Sequence, residues 1–485
     1  MDAMGLSILI IGAVVSSGAL FLGIRRRENR NEICTETNED AVCAQRHTKK
    51  VHRIARQLRE RKSAEPVSLK KRAVSHQVPK AGDKRHKDEK IDISDLNDII
   101  DIDTEKKICT AEPGVTFVDL VNTTMQYGLV PIIVPELKTI TIGGAISGCS
   151  IESMSFKHGG FHDTCLEYEI ITGKGDILIC TPDNENRLIF QMIHGSFGTL
   201  GILSKLKFRL IPAKPYVKMN YEKYDNLDDY KDAIWGHFKK RDVDFMDGMI
   251  HSPSEYVLSI GNFVDEAPYT NSYDWRKIYY QSTRKREEDY IKTPDYFFRY
   301  DKGVTNVHPK SAIARFLFGK FLGSSEVLRL AEKLSFLLPR EHPNVTVDIF
   351  IPFSKFGEFM DWYKEEFRYF PLWCVPYRRA RDYEWISDRM FDVLDEELVV
   401  DLAIYGMKQR DGKNYYRLME NKLMELGGIK TLISYNYYTE EEFWEIWNKE
   451  NYFAVKEITD PDNIFRDLYT KTCRVARGLD AMPAD

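Results

Sequence analysis

The sequence predicts an α+β protein of two domains, and three observations carry that reading. The chain is 485 residues long, more than a single hydrophobic core usually organises. Between residues 91 and 210 short β-rich runs alternate with amphipathic helical runs. After Pro212 and Pro215 the pattern changes to strand, helix, hairpin and further strands, the signature of an antiparallel sheet with helices on one face. A net charge of -5 argues against a nucleic-acid binder. Eight cysteines show no CxxC spacing and no histidine at ligand spacing. Neither a disulfide framework nor a metal site is therefore expected, and a reducing compartment fits.

Residues 5–24 (GLSILIIGAVVSSGALFLGI) form an uncharged run of about the ~20 residues that span a bilayer as a helix. Three arginines, Arg25 to Arg27, follow it. The order of charge is that of a signal anchor, not of a cleaved signal peptide. By the positive-inside rule it leaves the rest of the chain cytosolic, at an endoplasmic-reticulum-type membrane if the cell is eukaryotic. Residues 1–27 are thus read as a membrane anchor and 28–50 as a polar spacer. From Val51 a short helix is expected, with Val51, Ile54, Ala55 and Leu58 on one stripe. Its arginines face either lipid headgroups or water.

A first domain is read over residues 51–213. Residues 108–111 are a strand. Thr116 caps a helix with Asp119 three residues on, Val115 and Leu120 act as a staple, and Gly128 closes it. Residues 167–172 and 176–181 pair as a hairpin across Gly173-Lys174-Gly175. A helix over 185–193 leads into the glycine run HGSFGTLG (194–201), and 202–211 returns as a strand. A second domain is read over 214–478, with strands at 216–221, 245–263 (a hairpin), 345–352, 372–377, 398–405 and 429–437. Helices are expected at 227–240 and 356–367. An aromatic and basic insert, 268–340, holds SAIARFLFGKFLG, which suits a membrane interface or the domain core. Residues 479–485 are a tail.

The chemistry lies in the run TIGGAISGCSIES (141–153), followed by Lys157, Gly159 and Gly160. Backbone that approaches a pyrophosphate and a flat ring has no room for side chains, and glycine meets that demand. No GxGxxG follows a strand and no GxxxxGK[ST] occurs, so neither a Rossmann nicotinamide site nor a P-loop is supported.

Together these segments, with AEPGVTFVDL, GLVPIIVPEL, HGGFHDTCLEYEIITGKGDILICT and GSFGTLGIL, resemble the FAD-binding domain of vanillyl-alcohol-oxidase, PCMH-type flavoproteins. VPEL, GCSIESMSFKHGGF, IPAKPYVKM, VVDLAIYG, YNYYTEEEFWEIW and YTKTCRVAR narrow the resemblance to the delta(24)-sterol reductase (Diminuto/Dwarf) family. That resemblance implies a two-subdomain FAD-binding domain with an α+β cap (substrate) domain and one N-terminal transmembrane helix. It also implies FAD as cofactor, NADPH as co-substrate and a sterol or other isoprenoid lipid as substrate. Carried over by position, Pro135, Glu136, Thr141, Ile142, Gly143 and Gly144 would line the diphosphate and flavin. Ser147, Gly148, Ile151, Glu152 and Ser153 would follow the ring, and Gly198, Gly201 and Ile202 would lie toward the adenine.

The chain departs from the superfamily at 70–82 (KKRAVSHQVPKAG), where the usual glycine-rich pyrophosphate loop has no glycine before Gly82. Phosphate contacts then fall to Arg72, Ser75 and a few amides. Glu152 is the first candidate for the catalytic acid, although a turn cap would use the same residue. Tyr437 is a second, or a core aromatic. Asp401 and Tyr405 are expected to face the pocket as orienting groups, while Lys157 and His158 would favour the anionic reduced flavin. Two other readings stay open: an FAD-linked oxidase or dehydrogenase of an alcohol or aldonolactone, and an inactive membrane-tethered interaction protein. The cytosolic assignment makes a direct prediction. The sequons at Asn122 and Asn344 remain unmodified in a eukaryotic host, and endoglycosidase treatment leaves the electrophoretic mobility unchanged.

Overall fold

The computed structural model describes residues 39–274, 277–301, 303, 343–388, 390 and 396–481. The apolar run 5–24 and the segment 311–323 lie outside the described residues. Among the described residues no helix is long and apolar enough to cross a membrane.

The first helix, Glu39–Arg59, starts well before the expected Val51, inside the stretch read as spacer. Its apolar stripe is spent on protein, not lipid. Val51, Ile54, Ala55 and Leu58 pack with Val67, Ile91, Leu96, Ile171, Ile202 and Phe465 in a satellite core. The helix carries enough cation to hold the acids beneath it. The His47 ring nitrogens lie 2.9 Å from Glu112 and 2.8 Å from Glu169, and Lys50 donates to Asp98 and Glu112 at 2.7 and 2.8 Å. Cys43, on this helix, is disulfide-bonded, which corrects the expectation of thiols alone. Cys109, Cys149, Cys165, Cys180, Cys374 and Cys473 are free.

Two short parallel strands follow, β1 (Val67–Lys70) and β2 (Glu89–Asp92). The next strands, β3 (Ile99–Asp103), β4 (Ile108–Ala111), β5 (Leu129–Pro131), β6 (Cys165–Ile171), β7 (Ile177–Cys180) and β8 (Ile202–Pro212), form a six-stranded sheet. Its order is β3-β4-β8-β6-β7, with β5 also on β8. The local signals act as read. Thr116 accepts a hydrogen bond from the Asp119 amide at the start of helix Phe117–Thr124. Gly128 sits at φ +66°, a conformation that costs glycine least.

After Pro215 the chain enters an eight-stranded antiparallel sheet. Its strands are β9 (Tyr216–Tyr224), β10 (Phe245–Ser252), β11 (Glu255–Val264), β12 (Glu288–Lys292), β13 (Val345–Pro352), β14 (Leu372–Arg378), β15 (Leu398–Met407) and β16 (Ile429–Lys430). They are ordered β12-β9-β11-β10-β14-β15-β13-β16. Alternation along these strands separates two faces. Val347, Ile349, Val400, Leu402 and Ile404 pack against helices Leu227–Lys240, Phe356–Glu366 and Tyr415–Leu426. Val375, Tyr377, Val399 and Ala403 join one core with Phe117, Ile146 and Phe161 of the first domain.

One strand is shorter than expected. The run 429–437 is β-paired only at Ile429 and Lys430. Lys430 is fully buried, donates to Glu420 and bonds the Tyr435 carbonyl at 2.6 Å, while the Tyr437 amide donates to Glu420 at 2.9 Å. A buried ion pair must satisfy its remaining polar valences, and this one draws the backbone out of the ladder.

The packing of the first helix is open to test. Ile54 is 0% exposed, so Ile54→Ala is expected to cost about 2–5 kcal/mol in chemical denaturation. A cost below ~1 kcal/mol would return the stripe to the lipid reading.

Candidate active site

The two glycine segments meet at the junction of the domains. Thr141 caps the helix Ile142–Ser147 by accepting from the Gly144 amide at 3.2 Å. The second glycine run docks on the end of that helix. The Gly195 amide donates to Ile146 at 3.2 Å and the Phe197 amide to Ser147 at 3.1 Å. Gly148, Cys149 and Ile151 from the first segment and Gly195 and Phe197 from the second line one side of a pocket. Phe350, Tyr377 and Val399 from the large sheet, with Leu432 just beyond β16 and Trp385 and Trp447, line the other. Its walls are largely apolar, the character of a cofactor or lipid site.

Several residues expected to touch a cofactor have close protein neighbours. A Cβ on Gly143 would lie 2.5 Å from Pro113, and one on Gly159 would lie 2.3 Å from the Asp163 carboxylate. Gly160 makes room for the His162 ring, and a Cβ on Gly201 would crowd the Ile171 carbonyl at 3.0 Å. Ile202 is buried beneath the first helix. Ser153 is buried and accepts from the Tyr296 hydroxyl at 3.1 Å. Lys157 turns to Asp244 at 3.6 Å, and burial pulls His158 down to about 4, which leaves it neutral. Ser75 is exposed and contacts the Gln77 amide at 3.4 Å. Pro135 is buried, while Gly198 at φ +70° has open space where a side chain would stand.

The acids gather beside the pocket. Asp401 and Tyr405 share with pocket-lining Val399 one face of β15, and Asp348 shares with Phe350 the same face of β13. The Tyr405 hydroxyl donates to Asp348 at 2.6 Å. Glu136, from the VPEL turn, lies within electrostatic reach of Asp401 and Tyr405. Desolvation raises all three carboxyls: Asp348 to about 6, Glu136 to about 8 and Asp401 well above the carboxylate range, the last also repelled by Asp348 and Glu136. Three acids this close in a low dielectric cannot all ionise.

Glu152 heads a second group. It is 2% exposed and lies 3.0 Å from Arg299, which lies 3.1 Å from Asp247. Asp247 also accepts from Trp373 and Tyr300 at 2.8 and 2.9 Å. One guanidinium faces two buried carboxyls, and desolvation raises Glu152 despite Arg299. Tyr437 is not brought to either group. Truncation of β16 leaves it among the helices on the far face of the sheet, with Arg477 stacked 4.0 Å over its ring.

Asp348, Asp247 and Arg299 were not singled out in the sequence. The aspartates did leave a signal there: each interrupts an apolar strand, VTVDIFIP and FMDGMI, where a lone acid has to be buried.

Comparison with known proteins adds to this geometry. An FAD binding domain family matches residues 40–181. The chain is 27% identical over 402 residues to a delta(24)-sterol reductase from Homo sapiens, covering 79% of this chain and 77% of that protein. It is 28% identical over 442 residues to one from Pisum sativum, covering 81% and 78%. With the delta(24)-sterol reductase homolog of Caenorhabditis elegans it is 27% identical over 423 residues, covering 80% and 79%. The chain is an FAD-dependent oxidoreductase homologous to the delta(24)-sterol reductases. The site fits that cofactor. The two glycine segments converge on a largely apolar pocket, and Gly148 and Gly195 are part of its wall.

The acid cluster makes stability depend on pH. The folded protein holds Asp401, 3% exposed, above its ordinary pKa, so its contribution is full in acid and is lost as pH rises. Asp401→Asn is therefore expected to match wild type near pH 4 and to melt at a higher temperature near pH 8. An unchanged difference across that range would remove the strain assigned to this carboxyl.

Proposed function

We propose that the chain is a membrane-anchored reductase that saturates an isolated carbon-carbon double bond, the side-chain delta(24) bond of a sterol, with NADPH as electron donor. The observation that carries this reading is an apolar pocket set on the same sheet face as carboxyls kept in their acid form. FAD, when bound, supplies the hydride chemistry. The residues of the chain do the rest. Phe350, Val399, Leu432, Trp385 and Trp447 exclude water and orient an apolar side chain. Asp348 and Asp401 would store a proton on carboxyl oxygens, and the Tyr405 hydroxyl, bonded to Asp348, would relay it toward the alkene carbon that takes the proton. Saturating an unactivated alkene needs such a donor of matched pKa within reach. Glu152, beside pocket-lining Ile151, is raised by burial against the pull of Arg299 and is an acid on the glycine side.

NADPH has no fold of its own among these motifs, so it would use the same cleft in alternation with the sterol. The run 5–24 and Arg25 to Arg27 support an anchor that keeps this cleft beside a membrane.

The test is direct. NADPH added without oxygen should bleach the flavin bands, and a delta(24)-sterol should restore them. Rapid reoxidation by air with peroxide release, and none by sterol, would favour the oxidase reading. Glu152→Gln and Asp401→Asn should each lower sterol turnover by about 10²-fold while the flavin spectrum is kept. Tyr437→Phe should stay within about twofold of wild type, as its place on the far face requires. The opposite pattern would refute these roles.

A further inference from the structure

The stretch that lacks glycines, residues 70–81, is supplied instead with cations. Lys80 is 3% exposed, and its ammonium donates only to main-chain carbonyls, those of Val78 at 3.4 Å and Ile433 at 3.2 Å. Lys471, half-buried on the C-terminal segment, reaches the second glycine run and donates to the carbonyls of Phe197 at 3.0 Å and Gly198 at 3.4 Å. Arg85 lies within electrostatic reach of both.

The nearby acids are already engaged. Asp83 is held by Arg85 through both oxygens, Asp88 by Arg466 at 2.6 Å, and Glu420 by Lys430. Among the described residues neither Lys80 nor Lys471 has a carboxylate partner. Ammonium groups so placed are costly unless an anion compensates them. Burial and the Arg85 charge pull both down to about 7, so an arriving anion would recharge them fully.

We propose that Lys80 and Lys471 both hold the diphosphate of the flavin dinucleotide, replacing with side-chain charge the backbone amides that a glycine-rich loop would provide. The inference rests on the FAD part of the reading above and is independent of the sterol. Lys80 comes from the first part of the FAD-binding domain. Lys471 comes from the C-terminal segment and is steadied by the Phe197 and Gly198 carbonyls, so the grip ties the C-terminus to the cofactor. A charge-based grip is sensitive to salt and blind to the flavin ring.

The full chain, stripped of flavin, is titrated with FAD and with riboflavin, which has no phosphate, and binding is read by quenching of flavin fluorescence. Wild type should prefer FAD by about 100-fold or more, and the preference should shrink as salt is raised. Lys80→Met and Lys471→Met should each weaken FAD about tenfold while leaving riboflavin within twofold, and Lys80→Arg and Lys471→Arg should restore most of the loss. Equal weakening of both flavins would make the lysines structural and overturn the proposal. So would an unchanged FAD preference, including the case in which only the NADPH KM rises. A protein that prefers FAD in this way yet leaves delta(24)-sterols unreduced would refute the proposed reaction and leave the lysine grip standing.

Discussion

One contact organises this molecule: the inner face of the eight-stranded sheet lies on the FAD-binding domain through a single continuous apolar core. Tyr377, Val399 and Ala403 on the sheet and Phe117, Ile146 and Phe161 beneath belong to the same buried cluster. The pocket exists where this core is interrupted, between the glycine segments on one side and Phe350 and Val399 on the other. Loss of the contact would expose both walls and return every acid beside it to water. The raised carboxyls are therefore a consequence of domain packing, since desolvation is the leading cause for Glu136, Asp348 and Asp401 alike.

Charge inside the protein is segregated. Acids with too few cations gather under the sheet at β13 and β15, and cations with too few acids gather between residues 80 and 85 and the C-terminal segment. Each imbalance disfavours the ionised form when the protein is alone. Each would also suit the proposed flavin chemistry, the acids as a proton store and the cations as phosphate contacts. By contrast, Lys430 with Glu420 is a compensated pair, and Arg299 is shared between Glu152 and Asp247. The first of these shapes the chain itself by ending β16 after two residues and sending Tyr437 to the far face.

Much of the framework was legible from local signals. Strand β4, helix Leu227–Lys240 and strand β13 occupy the residues their periodicity marks, because burial of one face and a competent cap are local demands. Thr116 and Gly128 act through neighbours only a few residues away. The errors share a cause. The stripe Val51, Ile54, Ala55, Leu58 could cover lipid or protein, and only the satellite core under it decides. The strand expected through Tyr437 has the right composition and is broken by an acid on another helix.

For the site, the sequence marked the glycine segments and offered Glu152 and Asp401 as candidate acids, and its family resemblance implied the cofactor class. The glycines and acids stand out by residue type and spacing along the chain. The sequence did not determine which glycines face a ligand and which merely admit Pro113, Asp163 or a carbonyl, since that depends on what stands opposite in space. Nor could it pair Asp348 with Tyr405, or bring Lys471 to the second glycine run. Those outcomes are set by tertiary packing, because the energies involved, desolvation and the match or mismatch of buried charge, arise only when distant segments exclude water together.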